Sequence, residues 1–210
     1  GNLTVDLQWK PIVYTVRFVN HDGTELQSGL VPYGTVPAYT GETPTRSADS
    51  QYTYTFAGWD QEITAVTGDT TYTAAYSTTT NEYTVTFKNY DGTVLQTSSV
   101  AYGETPAYTS ETPAKEQTAE KTYTFAGWTP EVVPVTGDAT YTATFTDATR
   151  TYTITFADYD GTVLQSGSVA YGETPAYTGS TPVRPDEGET RYTFTGWTPA
   201  ITAVIGEATY

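Results

Sequence analysis

In YTVTFKNYDGTVLQ, Tyr83–Gln96, an alternating run meets a turn and then a second run. Tyr83, Val85 and Phe87 alternate with Thr84 and Thr86. That period of two sends rings and a β-branched side chain to one face of a strand and threonines to the other. Asp91-Gly92 between the two runs is a strong short signal for a β-hairpin. A second strand is expected over TVLQTSSVAYG, and ETPAYTSETP beyond it reads as a proline-punctuated loop. YTFAGW, ending at Trp128, reads as a third strand whose Gly127 marks a bulge or a close backbone approach. VTGDATYTATF then gives a turn and a fourth strand.

The pattern recurs. YTVRF starts at Tyr14, YTVTF at Tyr83 and YTITF at Tyr152, each 69 residues after the last. The F-x-G-W element keeps the same step, with Trp59, Trp128 and Trp197. Such a spacing without insertions marks a tandem array of one supersecondary unit. The expected boundaries are 1–10 for the leftover last strand of a preceding unit, then 11–79, 80–148 and 149–210 for three repeats, the last lacking the end of its fourth strand. Each reads β-β-loop-β-β. AKEQTAEK allows a helical turn or an extra strand in the loop of the second repeat, but the third has VRPDEGET there, with Pro185 and Gly188. The fold class expected is mostly β: three tandem β-grasp-like modules of about four strands each, arranged as an extended rod. A module of this size without crosslinks buries only a modest core. The tryptophans are therefore expected inside it rather than as exposed platforms.

Composition narrows the function. Nine basic against 24 acidic residues give a net charge of −15, a surface that repels phosphate backbones and anionic headgroups. Neither nucleic-acid binding nor membrane insertion is expected, and no apolar run reaches the roughly 18 residues a spanning helix needs. With no cysteine, disulfides, thiolate nucleophiles and Cys-ligated zinc are all excluded. Gly1 opens directly into NLTVDLQWK with no signal-peptide pattern, and the sequence reads as a slice of a longer chain. Tyrosine numbers 19 and threonine is abundant, both strand formers.

The residues that look reactive divide by internal comparison. FVNHDGTEL, Phe18–Leu26, holds the one histidine, His21, next to Asp22. The other repeats have Tyr90 and Tyr159 at the histidine position, whereas Asp22, Asp91 and Asp160 recur, each followed by glycine. What is shared is turn chemistry, not a dyad. DYDGT at Asp158–Thr162 resembles the start of a calcium loop, but the twelfth position, where a glutamate ligand belongs, is Val169. No nucleophile elbow, phosphate loop or zinc-protease pattern is present. Glu104 and Glu173 (Thr35 in the first repeat), with Asp69, Asp138 and Glu207, read as turn or surface carboxylates. No catalytic, metal or cofactor residue is assigned, no cofactor is expected, and the chain reads as a non-enzyme. Arg46, Lys115 and Arg184 form a recurrent basic position, expected to pair with a carboxylate or to cover an aromatic face. Tyr39, Tyr108 and Tyr177, in the PAYT loops, are the candidate exposed rings for sugars. The third repeat has no lysine, so a Lys–Asn isopeptide crosslink is not general to the repeats.

Taken together, Y-T-V-x-F, D-G-T, Y-G-x-x-P, Y-T-F-x-G-W, V-T-G-D and T-Y-T-A-x-F resemble the Listeria–Bacteroides repeat family, related to the B repeat of internalin B. The leading LQWKP is similar to the end of that family's unit. The first half of each repeat is also similar to mucin-binding repeats of Gram-positive adhesins. The segment after Gly-Trp is shorter than in the Listeria–Bacteroides pattern, and the loop before YTF is longer. The resemblance implies β-grasp-like modules in secreted or wall-anchored bacterial proteins, and no catalytic residues. The expected role is a stalk projecting a distal adhesive domain, with capture of host glycoprotein or mucin glycans through the loop tyrosines as the alternative. Short threonine-rich linkers, STTTNE and TDATR, predict limited bending between modules of roughly 30–40 Å. The N-terminal strand is expected to fill the vacant edge of another molecule's third repeat, a head-to-tail self-contact.

Overall fold

The computed structural model describes residues 5–210, and within them there is no helix. The expected leftover strand at 1–10 falls partly outside the described residues, and 5–10 form no strand. The first sheet contains β1 (Val13–Val19), β2 (Glu25–Pro32), β3 (Tyr52–Trp59) and β4 (Thr70–Thr80), in the order β2-β1-β4-β3. β1 and β2 form the antiparallel hairpin around Asp22-Gly23, from Val13 opposite Pro32 to Val19 opposite Glu25. β3 and β4 are also antiparallel, from Tyr52 opposite Thr80 to Trp59 opposite Ala74. The two central strands, β1 and β4, are parallel, from Val16 beside Thr70 to Val19 beside Thr73. A parallel pair cannot close through a hairpin, so the chain must travel around through β2, the long loop and β3 before β4 returns beside β1. This is the β-grasp arrangement with a loop where a helix would lie. The helical turn or extra strand expected in AKEQTAEK is absent: 114–120 are neither helix nor strand. The loops instead sink prolines against the sheet, Pro37, Pro106, Pro113 and Pro175 among those buried.

The second sheet repeats the order with β5 (Glu82–Lys88), β6 (Val94–Ala101), β7 (Lys121–Thr129) and β8 (Ala139–Thr149), as β6-β5-β8-β7. Gly127 is a bulge as expected: the register of β7 on β8 shifts between Phe125 and Gly127, where φ is 129°. A side chain at that backbone angle is strained, which is why glycine stands there.

The third sheet has three strands, β10 (Val163–Ala170), β9 (Thr151–Ala157) and the short β11 (Ala208–Thr209). Its YTF-x-GW segment, expected to be a strand, is not one. The cause is pairing. β7 pairs with Thr142–Thr149 of β8, whereas among the described residues no strand lies beside Tyr192–Trp197. A strand with neither ladder beside it has nothing to hold its backbone groups.

Each repeat has its own apolar centre. Val16, Phe18, Val66 and Tyr72 form the first, with Trp59 and Tyr39 packed on it. Val85, Phe87, Val135, Tyr141 and Ala143 are the buried apolar residues of the second repeat. Ile154, Phe156, Val204 and Tyr210 form the third, with Trp197 and Tyr177 packed on it. The inward residues of β1, β5 and β9 are those the alternation picks out. Two compact units divide the chain, and the division runs through the second sheet: the first unit includes 1–85, the second 140–210.

Candidate functional site

Three recurring constellations were candidates for chemistry, and the geometry gives each a defined task. The first is the hairpin tip. The Asp22 carboxylate accepts the backbone N–H of Thr24 at 3.0 Å, and Asp91 and Asp160 accept those of Thr93 and Thr162 at 2.9 Å each. Those amides hold all three carboxyls below the ordinary aspartate range. The His21 ring has its ring contact and its side-chain hydrogen bond with other residues. Its ring stands edge-on to Tyr76 at 5.6 Å, and its Nδ1 lies 3.2 Å from the side-chain oxygen of Asn20. The supposed dyad is two side chains with separate partners. Among the described residues, no group of three His, Cys, Asp or Glu side chains could hold a metal ion.

The second constellation is the basic position. The Arg46 guanidinium lies 3.6 Å above the Tyr54 ring. Lys115 sits between two rings, 4.8 Å from Tyr90 and 4.1 Å from Tyr123, and Arg184 does the same between Tyr159 and Tyr192 at 4.8 and 3.9 Å. Arg184 also pairs with Glu187 at 2.9 Å. Both expected roles, aromatic cover and carboxylate pairing, are realised. Each cation contributes on the order of 0.5–1 kcal/mol at such half-exposed faces.

The loop tyrosines do not stand free for sugars. Tyr39 packs at 5.4 Å from Phe18 and 5.0 Å from Trp59, and its hydroxyl donates to the Glu42 carbonyl at 2.8 Å. Tyr108 repeats this on Phe87 and Trp128, and its hydroxyl donates to Glu111. Tyr177 packs on Phe156 and Trp197. The rings turn inward because the loops are pinned to the hairpin, and the pin is a residue the sequence reading passed over. Gln27 donates through Nε2 to the Ala38 carbonyl at 2.9 Å and accepts the Thr40 amide at 2.8 Å. Gln96 and Gln165 do the same to Ala107 and Thr109, and to Ala176 and Thr178. The recurrence of Gln in V-L-Q and E-L-Q at the 69-residue step was the available signal. Asp69 and Asp138 likewise have a task, accepting the amides of Thr15 and Thr84 at 2.7 and 2.8 Å.

A further recurring arrangement lies where one repeat passes into the next. A single residue, Asn81, separates β4 from β5, and Arg150 alone separates β8 from β9. Neither is a free hinge. Asn81 donates its backbone N–H to Gln51 of the first repeat, and its carbonyl accepts the N–H of Tyr102 in the second. Arg150 donates to Glu120 and accepts from Tyr171 in the same way. The Asn81 side chain adds bonds to Asp49 and Thr53. Tyr83 donates its hydroxyl to the Ser50 carbonyl at 2.5 Å, and Tyr152 donates to Ala119 at 2.6 Å. The Arg150 guanidinium bonds the Thr118 carbonyl at 3.0 Å and lies 5.1 Å from the Tyr152 ring. Both junctions fall inside a compact unit rather than between two.

A family model described as the Listeria-Bacteroides repeat domain matches residues 83–149 and 152–203. No curated protein matches the chain. Among solved structures, Streptococcal High Identity Repeats in Tandem (SHIRT) domains 3-4 from cell surface protein align with 17% identity over 65% of this chain and 99% of that one, at a TM-score of 0.32.

Proposed function

The chain belongs to the Listeria-Bacteroides repeat family, and on that premise we propose that it is a non-catalytic stalk region of a secreted or wall-anchored bacterial surface protein. In this reading 11–79, 80–148 and 149–210 are its three modules, projecting a distal adhesive domain away from the cell. The observation that carries the reading is the bridged linker residue. A spacer needs its modules held in line, and Asn81 and Arg150 each have backbone bonds to the repeat on either side. The parallel pairing supports it as well. β1 enters at one end of its sheet and β4 leaves at the other, a separation of about 45 Å along the strand direction in the first repeat. The net charge of −15 keeps neighbouring stalks apart and away from anionic surfaces.

Glycan capture is not favoured, because Tyr39, Tyr108 and Tyr177 have turned their rings to the core. Small-angle scattering of the whole chain tests the stalk. An aligned array has a radius of gyration at least twice the roughly 17 Å of a compact chain of this length. A value near 17 Å would sink the proposal, as would specific retention on a host-glycan array that Tyr108→Ala and Tyr177→Ala abolish.

A further inference from the structure

The recurrent cation has two recurrent companions, and the repeats differ in one of them. Steps of 69 residues align Arg46, Lys115 and Arg184, and with them the rings of Tyr54, Tyr123 and Tyr192 that they cover. The same step aligns Asp49, Thr118 and Glu187, five residues before those rings. In the first repeat Asp49 uses both carboxylate oxygens. Its Oδ1 accepts the Tyr52 amide at 2.7 Å, and its Oδ2 accepts the Tyr54 hydroxyl at 2.6 Å. In the third, Glu187 accepts the Tyr192 hydroxyl at 3.2 Å and pairs with Arg184 at 2.9 Å. The Tyr54 hydroxyl holds the Asp49 carboxyl below its ordinary range, and Arg184 does the same to Glu187. Both arrangements therefore favour an ionised carboxylate beside the covered ring.

The second repeat keeps the cation and the ring but lacks the carboxylate. Thr118 retains the backbone bond, its hydroxyl oxygen accepting the Lys121 amide at 2.9 Å, and has no second oxygen to reach the ring. Among the described residues the Tyr123 hydroxyl has no hydrogen-bond partner, and Lys115 has neither a hydrogen bond nor an ion pair. The two ring faces stabilise the Lys115 charge but give its N–H donors no lone pair. Asp147 lies opposite Tyr123 in the β7–β8 ladder, yet its carboxylate is taken by Lys121 at 2.6 Å. Those two charges cancel, which leaves Lys115 uncompensated. Glu116 and Glu120 are exposed and form no ion pair with it.

We infer that Lys115 and Tyr123 bind a carboxylate from outside the chain, in the position that Asp49 and Glu187 fill from within. The siblings also indicate its source. Both are acidic side chains of a polypeptide, so the partner that fits is a peptide segment presenting Asp or Glu. Its carboxylate accepts from the Lys115 ammonium and the Tyr123 hydroxyl, the first of these a charge-assisted bond. Its methylenes lie against Tyr90, which is 46% exposed and forms the other side of the Lys115 sandwich. Thr118 thus gives the second repeat a partner that the first and third exclude by supplying their own. The site does not depend on the stalk proposal.

NMR of the 210-residue chain, titrated with a blocked pentapeptide carrying one glutamate between glycines, tests the inference. The expected result is saturable shifts at the Lys115 side chain and the Tyr90 and Tyr123 rings, with the millimolar affinity of one exposed charge contact. The same peptide with glutamine for glutamate binds at least about tenfold more weakly. Thr118→Asp, at an exposed loop position, restores the residue of the first repeat without touching the core. It fills the site from within and weakens peptide binding at least about tenfold. Absence of shifts at high peptide excess overturns the inference, as does equal binding of the glutamine peptide or full affinity in the Thr118→Asp chain. Glucuronate, in a separate arm, presents the same carboxylate on a sugar. If it binds at least about tenfold more tightly than the peptide, the partner is an acidic saccharide and the peptide assignment fails.

Discussion

The Tyr83 hydroxyl, on the first strand of the second repeat, donates to the carbonyl oxygen of Ser50, in the loop of the first, at 2.5 Å. The same side chain thus faces its own sheet and ties down its neighbour's loop. Because Tyr152 does this to Ala119, the contact is a rule of the array rather than an accident of one junction. Tyr83→Phe and Tyr152→Phe keep the ring and delete the donor. Each is expected to cost about 1 kcal/mol in thermal unfolding. Distances between fluorophores on adjacent repeats should broaden in distribution. Unchanged distributions in the double variant would show that the backbone bonds of Asn81 and Arg150 suffice.

Phe87 is fully buried and lies 4.7 Å from Trp128, 5.4 Å from Tyr108 and 5.3 Å from Tyr141. Phe87→Ala and Trp128→Ala should each destabilise the second repeat by about 3–5 kcal/mol. A more discriminating pair is Phe125→Ala, packed between Trp128 and Phe145, against Tyr90→Ala, at the exposed hairpin tip. Chemical denaturation should show the larger loss for Phe125.

Gln96→Ala removes four hydrogen bonds that hold the proline loop on the hairpin, the two hydroxyl ones long at 3.3 Å, an expected loss of about 1–2 kcal/mol. Amide exchange identifies the mechanism, since the Thr109 N–H loses its acceptor and should exchange faster. Protection at Thr109 equal to that of the native chain would refute the clamp.

The depressed carboxyls set the acid limb. Amides lower Asp22, Asp91 and Asp160, and the Lys121 ammonium at 2.6 Å lowers Asp147. A carboxyl lowered on folding stabilises the fold above its unfolded value, near 4, and that contribution is lost as pH falls through the folded value. Melting temperature should therefore decline below about pH 4. Acid also relieves the self-repulsion of a chain at −15, which acts in the opposite direction. The triple Asp22→Asn, Asp91→Asn, Asp160→Asn variant separates the two: its acid limb should be flatter than that of the native chain.

Strands with a period of two and a DG turn were legible because the information is local: Tyr83, Val85, Phe87 and Asp91-Gly92 lie within one hairpin. The inward tryptophans were legible by the same route. The parallel partnership of β1 with β4 was not, since Val16 and Thr70 are brought together by a path through two other strands and a loop. The packing of Tyr39, Tyr108 and Tyr177 on the core was not legible either, because PAYT reads as surface loop. What turns them inward is a glutamine eleven to thirteen residues upstream of the atoms it binds. The third repeat's YTFTGW matched a strand in composition and failed as one, because a strand is defined by its neighbour's backbone as much as by its own side chains.

The parallel central pair has a mechanical consequence. Tension applied through the chain on either side of the first repeat pulls β1 and β4 past each other along their length. The load then falls on the Val16–Val19 ladder as a whole instead of peeling its bonds apart one after another. A module wired in this way resists being drawn out by shear flow, and its weakest direction, splaying of the hairpins, is one that traction along the chain never exercises.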